Sequence, residues 1–457
     1  MTATVELPLW ILLLVLAFAA IAALDRVLVP SARWYLRRRM ERMVAHLNQR
    51  LDRPIAPFKL MRRHDMVMRL THDAQVAAAI SEHARLSATP EDVVLERVRG
   101  YAKEIVPAFS AILYFGLATR LARRFTRAFY HVQIATPETG RDVVDKDATV
   151  VFVMNHRSNM DYVLVTWLVA DRSALSYAVG EWARIWPLSS LVRAMGAYFI
   201  RRRSLSPLYR RVLARYVQLS AGAGVTQAFF PEGGLSVDGR IGAPKVGLLS
   251  YFMATKGRDL VFVPVGIAYD RVLEDRSLTD VSAGARRFGA RPLRIGAFVS
   301  RTLWRLVRGR FPGFGSAGVA FGAPVSLRAW QATHPQIAPE DLARHLMGQV
   351  ARTVPVLPVP LVAAAISRRV VTPHGLLSAA EQLLTELRNR GATVMVPEDD
   401  AHAAARQGLR ALMQRGIVIE RQGRYAPAEG KERLLAYYAA GVLQQLEGDG
   451  DGDHTIA

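Results

Sequence analysis

The chain begins with an uncharged apolar run, Leu7–Leu24, which covers 18 residues. As an α-helix this run would measure about 27 Å, close to the ~30 Å hydrocarbon core of a bilayer. Basic residues are absent before it and frequent after it, beginning with Arg26. The cytoplasmic flank of a membrane span is rich in Lys and Arg, whereas a cleaved signal peptide needs basic residues ahead of its apolar run. The pattern therefore predicts a single-pass anchor over residues 1–30, with the remainder in the cytoplasm.

Residues 31–130 have a helical pattern, with Arg-rich and Ala/Leu-rich stretches that prolines interrupt. The last helix carries basic and apolar residues on two different faces: Arg120, Arg123, Arg124 and Arg127, and Leu117, Leu121, Phe125 and Phe129. This arrangement is typical of a helix that lies on an anionic membrane surface. A solvated face on a helix that packs against the next domain explains it equally well.

Between residues 131 and 330 the pattern changes to short apolar runs that alternate with amphipathic segments. This alternation is typical of an α/β domain. The runs predict strands at residues 149–154, 175–179, 197–201, 226–230, 260–267, 294–299 and 317–322. Eight arginines and no acidic residue lie between 281 and 310, which predicts an exposed basic surface.

The C-terminal region, residues 331–446, is predicted to be mostly helical. Within it, residues 405–440 read as a helix, a pair of short strands and a second helix, an order that resembles a winged helix-turn-helix. A small scaffold module is the preferred interpretation, and we do not expect nucleic acid as a partner. Residues 447–457 are rich in Gly and Asp and are predicted to be a disordered tail.

The amino-acid composition limits the kinds of partner and catalytic group that the protein can use. The 457 residues include 60 Lys and Arg against 39 Asp and Glu, a formal net charge of +21. Such an excess calls for an anionic partner, either nucleic acid, phospholipid headgroups or a phosphorylated substrate. The chain has no cysteine, which excludes disulfides, thiolate metal ligands and a Cys nucleophile. The sequence predicts no metal site and no bound cofactor.

The clearest candidate for catalysis follows the predicted strand 149–154. His156 lies in a polar turn at the carboxyl end of this strand, and Asp161 follows five residues later. If a helix begins near Ser158, Asp161 falls in its first turn and can reach back to the imidazole. A neutral imidazole held by a carboxylate can take a proton from a hydroxyl. The alternative is a surface His beside a helix-capping Asp.

Two further stretches end predicted strands. Gly196–Arg203 ends in three arginines, with Arg193 just before it, which suits either a phosphorylated alcohol or a basic turn that faces lipid headgroups. In Phe229–Gly239, a carboxylate is followed by two glycines that let backbone N–H groups approach a ligand. The G-x-S-x-G elbow of serine hydrolases is absent, because residue 238 is Asp.

Four blocks in this order and spacing, Asn155–Tyr162, Gly196–Arg202, Pro231–Gly234 and Val263–Ile267, resemble those of the glycerolipid acyltransferases. The resemblance is strongest to the membrane-bound bacterial glycerol-3-phosphate 1-O-acyltransferases. It implies an α/β fold with a mixed sheet flanked by helices. It also implies a bacterial inner-membrane enzyme that transfers a fatty acyl group from acyl-CoA or acyl-carrier protein to the sn-1 hydroxyl of glycerol 3-phosphate, the first step of phospholipid synthesis. Anionic membrane lipids would be further partners.

The resemblance also assigns roles to residues. His156 would be the general base and Asp161 its orienting carboxylate. The implied substrate-binding residues, among them phosphate ligands and an acceptor-binding loop, are Arg157, Ser158, Arg193, Arg201, Arg202, Glu232, Gly233, Gly234 and Lys245.

The sequence departs from the family pattern at three arginine positions, which are occupied by Ala194, Leu235 and Val237. Either other arginines replace them, with Arg157, Arg203 and Arg240 as candidates, or the acceptor differs. Alternative acceptors are lysophosphatidate, dihydroxyacetone phosphate and an amino-alcohol lipid. A basic membrane protein that binds lipid or nucleic acid without catalysis is the remaining hypothesis.

Overall fold

The computed structural model of the chain describes residues 8–24, 26, 29–136, 144–170, 172–184, 188–201, 206–282, 304, 308, 313–336, 338–368 and 371–447. The chain forms two compact units: Met1–Ile55 with Asp171–Ser173, and Ala56–Ala170 with Ala174–Ala457. The predicted strand at 294–299, most of the basic segment 281–310 and the tail after Glu447 lie outside the described residues.

The first unit contains helices α1 (Leu9–Ala23) and α2 (Val29–Asn48). α1 is apolar throughout and buries none of its side chains. Within the described ranges, no helix is both long enough and apolar enough to cross a membrane. The predicted span over Leu7–Leu24 is therefore not found as such a helix: α1 covers 15 residues, and Leu7 lies outside the described residues.

The second unit begins with helices that match the predicted helical pattern: α3 (Pro57–Leu60), α4 (Arg63–Thr71), α5 (Ala74–Ser87), α6 (Glu91–Ile105), a π-helical segment (Ile112–Ala118) and α7 (Thr119–Phe129). α6 buries Val94, Val98, Ala102 and Ile105, one side of an amphipathic helix.

The described residues then form a mixed sheet, as the family resemblance implies, with eight strands. Its strands are β1 (His131–Ala135), β2 (Thr149–Met154), β3 (Ser176–Val179), β4 (Tyr198–Phe199), β5 (Gln227–Phe229), β6 (Leu260–Tyr269), β7 (Ser316–Phe321) and β8 (Val325–Ser326). The order is β1-β7-β6-β2-β5-β3-β4, with β8 beside β6. β1 and β8 were not predicted from the sequence. β1 is a partly exposed edge strand, and β8 has only two residues.

The five strands β6, β2, β5, β3 and β4 run parallel, so their carboxyl ends lie at one edge of the sheet. β7 and β8 run antiparallel to β6. Helices between the strands are α8 (Met160–Ala170), α9 (Leu188–Ala194), α10 (Pro207–Gly222), α11 (Gly247–Met253) and α12 (Asp275–Ser282). Ligands in open α/β sheets bind at this carboxyl edge.

The C-terminal region contains α13 (Leu327–Thr333), α14 (Pro339–Thr353), α15 (Pro358–Arg368), α16 (Pro373–Asn389), α17 (Ala401–Gln414) and α18 (Glu432–Glu447). The strand pair β9 (Val418–Arg421) and β10 (Arg424–Pro427) lies between the last two helices, in the predicted order. Glu447, assigned to the tail by the sequence prediction, ends α18 and forms an ion pair with Arg240.

Hydrophobic clusters cover both faces of the sheet. Val151 and Val153 of β2 join a cluster with α4, α5, α6, α10 and α14, whereas Met154 joins one with α8 and α15–α18. Successive residues of a strand point to opposite faces, so a central strand needs apolar residues at every position when both faces are covered. β2 therefore carries the carboxyl edge between two packed layers of helices.

Candidate active site

The candidate site is built on the turn between β2 and α8. Asn155, the first residue after β2, exchanges two hydrogen bonds with the backbone of Ile267 on β6: its Nδ2 donates to the carbonyl at 2.9 Å, and its Oδ1 accepts from the N–H at 2.8 Å. These bonds hold the end of β2 against its neighbour. His156 then emerges from the sheet edge at a fixed position.

His156 and Asp161 meet as the sequence predicts. Nδ1 of His156 is 2.9 Å from Oδ2 of Asp161, which lies in the first turn of α8. The same oxygen accepts from the backbone N–H groups of Arg157 at 2.8 Å and Ser158 at 3.0 Å. A carboxylate holding Nδ1 fixes the tautomer in which Nδ1 carries the proton. The lone pair of the ring therefore lies on Nε2, which can accept a proton.

Tyr269, the last residue of β6, completes this network. Its hydroxyl donates to Oδ1 of Asp161 at 2.7 Å. Burial raises the pKa of Tyr269 well above its usual value, and the negative charge of Asp161 acts in the same direction. The phenol therefore stays protonated and remains a donor. The sequence analysis missed this partner because the β6 segment looks like an ordinary buried strand, although a tyrosine hydroxyl at a strand end needs a partner.

Aromatic rings cover the imidazole. Phe230 stacks on it at a centroid distance of 3.9 Å, Tyr162 contacts it edge-on at 5.4 Å, and only 2% of His156 is exposed. The Asp161 carboxylate is completely buried. Low local polarity strengthens the interaction between this carboxylate and an imidazolium.

Glu232 lies beside His156, and both oxygens of its carboxylate accept hydrogen bonds from backbone N–H groups of the protein. Oε1 accepts from the N–H of His156 at 2.8 Å, and Oε2 accepts from the N–H of Gly242 at 3.1 Å. Burial raises the pKa of Glu232. Its role in the fold is to connect the turn after β5 with the turn after β2.

Gly233 and Lys245 are neighbours in this loop. Gly233 has a positive φ of 68°, and a Cβ there would lie 2.9 Å from Cδ of Lys245. A side chain at position 233 would therefore displace the lysine. Lys245 itself is exposed, and its backbone N–H donates to the carbonyl of Pro231 at 2.8 Å. Gly234 continues the same loop.

Ser158 and Arg157 make contacts within the protein. The Ser158 hydroxyl donates to Oε2 of Glu274 at 2.7 Å, and Asn159 donates to Oε1 of Glu274 through both its N–H (3.2 Å) and its Nδ2 (3.0 Å). Burial raises the pKa of Glu274, a residue that the sequence analysis did not single out. The buried Arg157 guanidinium donates to the carbonyl of Gly239 and approaches Gly441 of α18.

A second group of predicted residues lies at the carboxyl ends of β3 and β4. Arg201, just after β4, forms two hydrogen bonds with Glu104 of α6: Nε to Oε1 at 2.8 Å and one terminal nitrogen to Oε2 at 2.7 Å. Arg184 also contacts Glu104. Arg193 donates to the carbonyl of Glu104 at 2.9 Å. Arg202 lies outside the described residues.

Arg63 joins this group at the end of α6. It donates to the carbonyl of Val106 at 3.2 Å, the same carbonyl that Arg193 contacts at 3.3 Å. The pKa of Arg193 is lowered to about 10, mainly by burial and also by the neighbouring charges of Arg63 and Arg184. We call Arg63, Arg184, Arg193 and Arg201 the arginine cluster.

The two parts of the site share one sheet edge. β2 and β4 are separated by β5 and β3. Adjacent strands lie about 4.8 Å apart, so the strand ends behind His156 and Arg201 are about 14 Å apart.

Comparison with known proteins finds two stretches of the chain that resemble known families. Residues 136–268 match the family model described as Acyltransferase, and residues 301–443 match the one described as Glycerol-3-phosphate acyltransferase C-terminal region. In these two stretches the chain is similar to acyltransferases and to the C-terminal region of glycerol-3-phosphate acyltransferases. The first match contains His156, Asp161, Arg201 and Glu232, whereas Arg63, Glu104, Tyr269 and Glu274 lie outside it.

Three proteins named glycerol-3-phosphate acyltransferase illustrate the relationship. The one from Alteromonas mediterranea is 25% identical over 354 residues, covering 72% of this chain and 41% of the relative. The one from Ectopseudomonas mendocina is 29% identical, covering 66% and 39%. The one from Pseudomonas aeruginosa PAO1 is 28% identical, covering 75% and 44%. This chain therefore spans less than half the length of these relatives.

Among solved structures, the 1-acyl-sn-glycerophosphate (LPA) acyltransferase PlsC from Thermotoga maritima matches 52% of this chain and 76% of its own, with 20% identity and a TM-score of 0.34.

The departures from the family motifs can be followed in the structure. Among the suggested replacements for the missing arginines, Arg240 forms an ion pair with Glu447, and Arg157 is buried against Gly239. Arg203 lies outside the described residues. Neither of these two described arginines belongs to the arginine cluster. The cluster contains Arg63 and Arg184 in addition to the predicted Arg193 and Arg201.

Proposed function

We propose that this protein is an O-acyltransferase that moves a fatty acyl group from acyl-CoA or acyl-carrier protein to the sn-1 hydroxyl of glycerol 3-phosphate. The observation that carries the proposal is the His156–Asp161 hydrogen bond of 2.9 Å at the carboxyl edge of the sheet. It leaves Nε2 as the basic atom of the imidazole. The names of the relatives support the choice of acceptor.

In the proposed reaction, Nε2 of His156 takes the proton of the acceptor hydroxyl while its oxygen attacks the thioester carbonyl. Asp161 stabilises the imidazolium that forms. The tetrahedral intermediate collapses, the carbon–sulfur bond breaks, and the leaving thiolate takes the proton from His156. The products are the new ester and a free thiol, and no acyl-enzyme forms because the hydroxyl attacks directly.

The arginine cluster supports a phosphorylated acceptor. Guanidinium groups bind phosphate oxygens in pairs and keep their charge. Arg201 and Arg193, predicted as phosphate ligands, both belong to the cluster.

We propose attachment to the cytoplasmic face of an anionic membrane as part of the same function. Ile112, Leu117, Leu121 and Phe125 are about half exposed, and exposed arginines accompany them on α7. Apolar side chains bordered by arginines suit the interface of a bilayer with anionic headgroups.

The test is thiol release by the purified full chain with palmitoyl-CoA or palmitoyl-acyl-carrier protein. Glycerol 3-phosphate, dihydroxyacetone phosphate, lysophosphatidate and glycerol serve as parallel acceptors. We expect glycerol 3-phosphate to give the highest kcat/KM. His156→Ala should lower kcat by about 10³-fold, as loss of a general base does.

His374→Ala is the matched control, because His374 is exposed near the start of α16. It should leave kcat and the melting temperature unchanged. Equal thiol release by wild type and His156→Ala would refute the proposed base. A higher kcat/KM for another acceptor would refute the choice of glycerol 3-phosphate.

A further inference from the structure

Glu104 has a special position in the arginine cluster. Its carboxylate contacts both Arg184 and Arg201, and only 14% of its side chain is exposed. The two arginines are about one third exposed. Arg63 and Arg193 bind backbone carbonyls at the end of the same helix, α6. Within the described residues, two guanidinium groups therefore bind the Glu104 carboxylate, and two more bind the carbonyls at the end of its helix.

The charge in this cluster is not balanced. Four guanidinium groups stand against the one carboxylate of Glu104, and after burial the charges of Arg63 and Arg184 also lower the pKa of Arg193. The Nε–H of Arg184 is buried, and no described group accepts a hydrogen bond from it. A partly buried cluster with excess charge and an unused donor has the properties of an anion site.

The contact between Glu104 and Arg201 uses the donors that a phosphate would use. Nε and one terminal nitrogen of Arg201 point to the two oxygens of the carboxylate, at 2.8 and 2.7 Å. Arginine binds carboxylate and phosphate through this same pair of N–H groups. The rings of Tyr101 and Tyr209, each 5.2 Å from the guanidinium carbon, restrict Arg201 to this orientation.

We propose that Glu104 is an internal competitor of the substrate: its carboxylate occupies the two-donor position on Arg201, so a phosphate-bearing substrate must compete with it for the arginine cluster. The inference rests on the proposed function only in taking glycerol 3-phosphate as the ligand. Competition by an internal carboxylate weakens the binding of every anion. A phosphate dianion gains more from four guanidinium groups than a singly charged anion does, so it is the anion better able to displace the carboxylate.

The test measures binding without an acyl donor, so it does not depend on catalysis. Isothermal titration of the full chain with glycerol 3-phosphate gives Kd for wild type and for Glu104→Gln, which keeps the size of the side chain and removes its charge. We expect Kd to fall about tenfold in the variant, equivalent to about 1.4 kcal/mol. Titration with inorganic phosphate should show the same change.

Glu96→Gln is the matched control, because Glu96 lies on α6 and pairs with Arg99 on the exposed surface. It makes the same change of charge outside the cluster and should leave Kd unchanged. Glu104→Asp is a second variant in case Glu104→Gln fails to fold. Its shorter carboxylate loses one of the two contacts, so Kd should fall less than in Glu104→Gln.

An unchanged or higher Kd in both Glu104 variants would overturn the proposal, as would the absence of measurable binding in wild type and variants alike. Failure of the proposed function gives a different result. In that case glycerol 3-phosphate still binds more tightly to Glu104→Gln, but wild type releases no thiol from palmitoyl-CoA.

Discussion

The turn after β2 and the arginine cluster beyond β3 and β4 lie on one sheet edge, yet they differ in how their polar groups are satisfied. Around Asp161, both carboxylate oxygens have protein donors, and one basic atom, Nε2 of His156, remains for the substrate. In the cluster, four guanidinium groups share the carboxylate of Glu104 and the carbonyls of α6. The first arrangement suits proton transfer at one atom, and the second suits binding of an anion. Changes in the two regions should therefore alter different kinetic constants.

The largest effect should come from Asp161→Asn. The backbone N–H groups of Arg157 and Ser158 keep the amide oxygen beside Nδ1, but the neutral amide no longer stabilises the imidazolium that forms when His156 takes the proton. We expect kcat to fall on the order of 10³-fold, with KM for glycerol 3-phosphate little changed. The measurement is thiol release at saturating donor. A fall in kcat/KM caused by KM alone would contradict the separation between the two regions.

Arg201→Lys tests the cluster. Lysine keeps the charge but loses the paired donors that face Glu104. We expect KM for glycerol 3-phosphate to rise about tenfold while kcat stays within about twofold, since a charge-assisted hydrogen bond contributes about 1.5–3 kcal/mol. Initial-rate kinetics check this result. Arg210→Lys, at an exposed position on α10, is the matched control and should behave as wild type.

Tyr269→Phe removes one hydrogen bond from Asp161 and leaves the ring in place. We expect kcat to fall about fivefold, because Asp161 keeps its contact with His156 but loses the donor on Oδ1. Initial rates give kcat, and the melting temperature serves as the control for packing. An equal kcat in wild type and variant would mean that the phenol supports packing alone.

Glu274→Gln should have the smallest effect. Glutamine can still accept from Asn159, so the turn after β2 keeps part of its support. We expect kcat to fall about twofold to threefold, the difference between charged and neutral hydrogen bonds. Glu429→Gln, at an exposed position after β10, should leave kcat unchanged. A loss as large as that of Asp161→Asn would contradict this ranking and would show that the support of Ser158 and Asn159 by Glu274 matters as much as Asp161 does.

Much of the fold could be predicted from the sequence. Apolar runs identified six of the eight strands of the sheet, because central strands covered on both faces have continuous apolar patterns. β1 escaped prediction because it is a partly exposed edge strand. The apolar start of the chain was read as an 18-residue span, whereas the helix has 15 residues, since pattern alone does not locate helix ends.

The pairing of His156 with Asp161 was determined by the sequence itself. A strand, a short turn and the first turn of a helix bring residues five positions apart into contact, and few local geometries are available to such a segment. The same locality explains why the Glu232–Gly233–Gly234 loop could be assigned to the sheet edge.

Tertiary structure alone decided which distant groups complete the site. Tyr269 reaches Asp161 across 108 residues of sequence, and Glu104 meets Arg201 across 97. In the sequence, Glu104 looks like any acid near the end of an amphipathic helix. Its partner depends on the strand order, which puts β4 at the edge, and on the packing of α6 against that edge. Electrostatic and hydrogen-bond partners are set by distance in space, which the hydrophobic pattern of a chain does not encode.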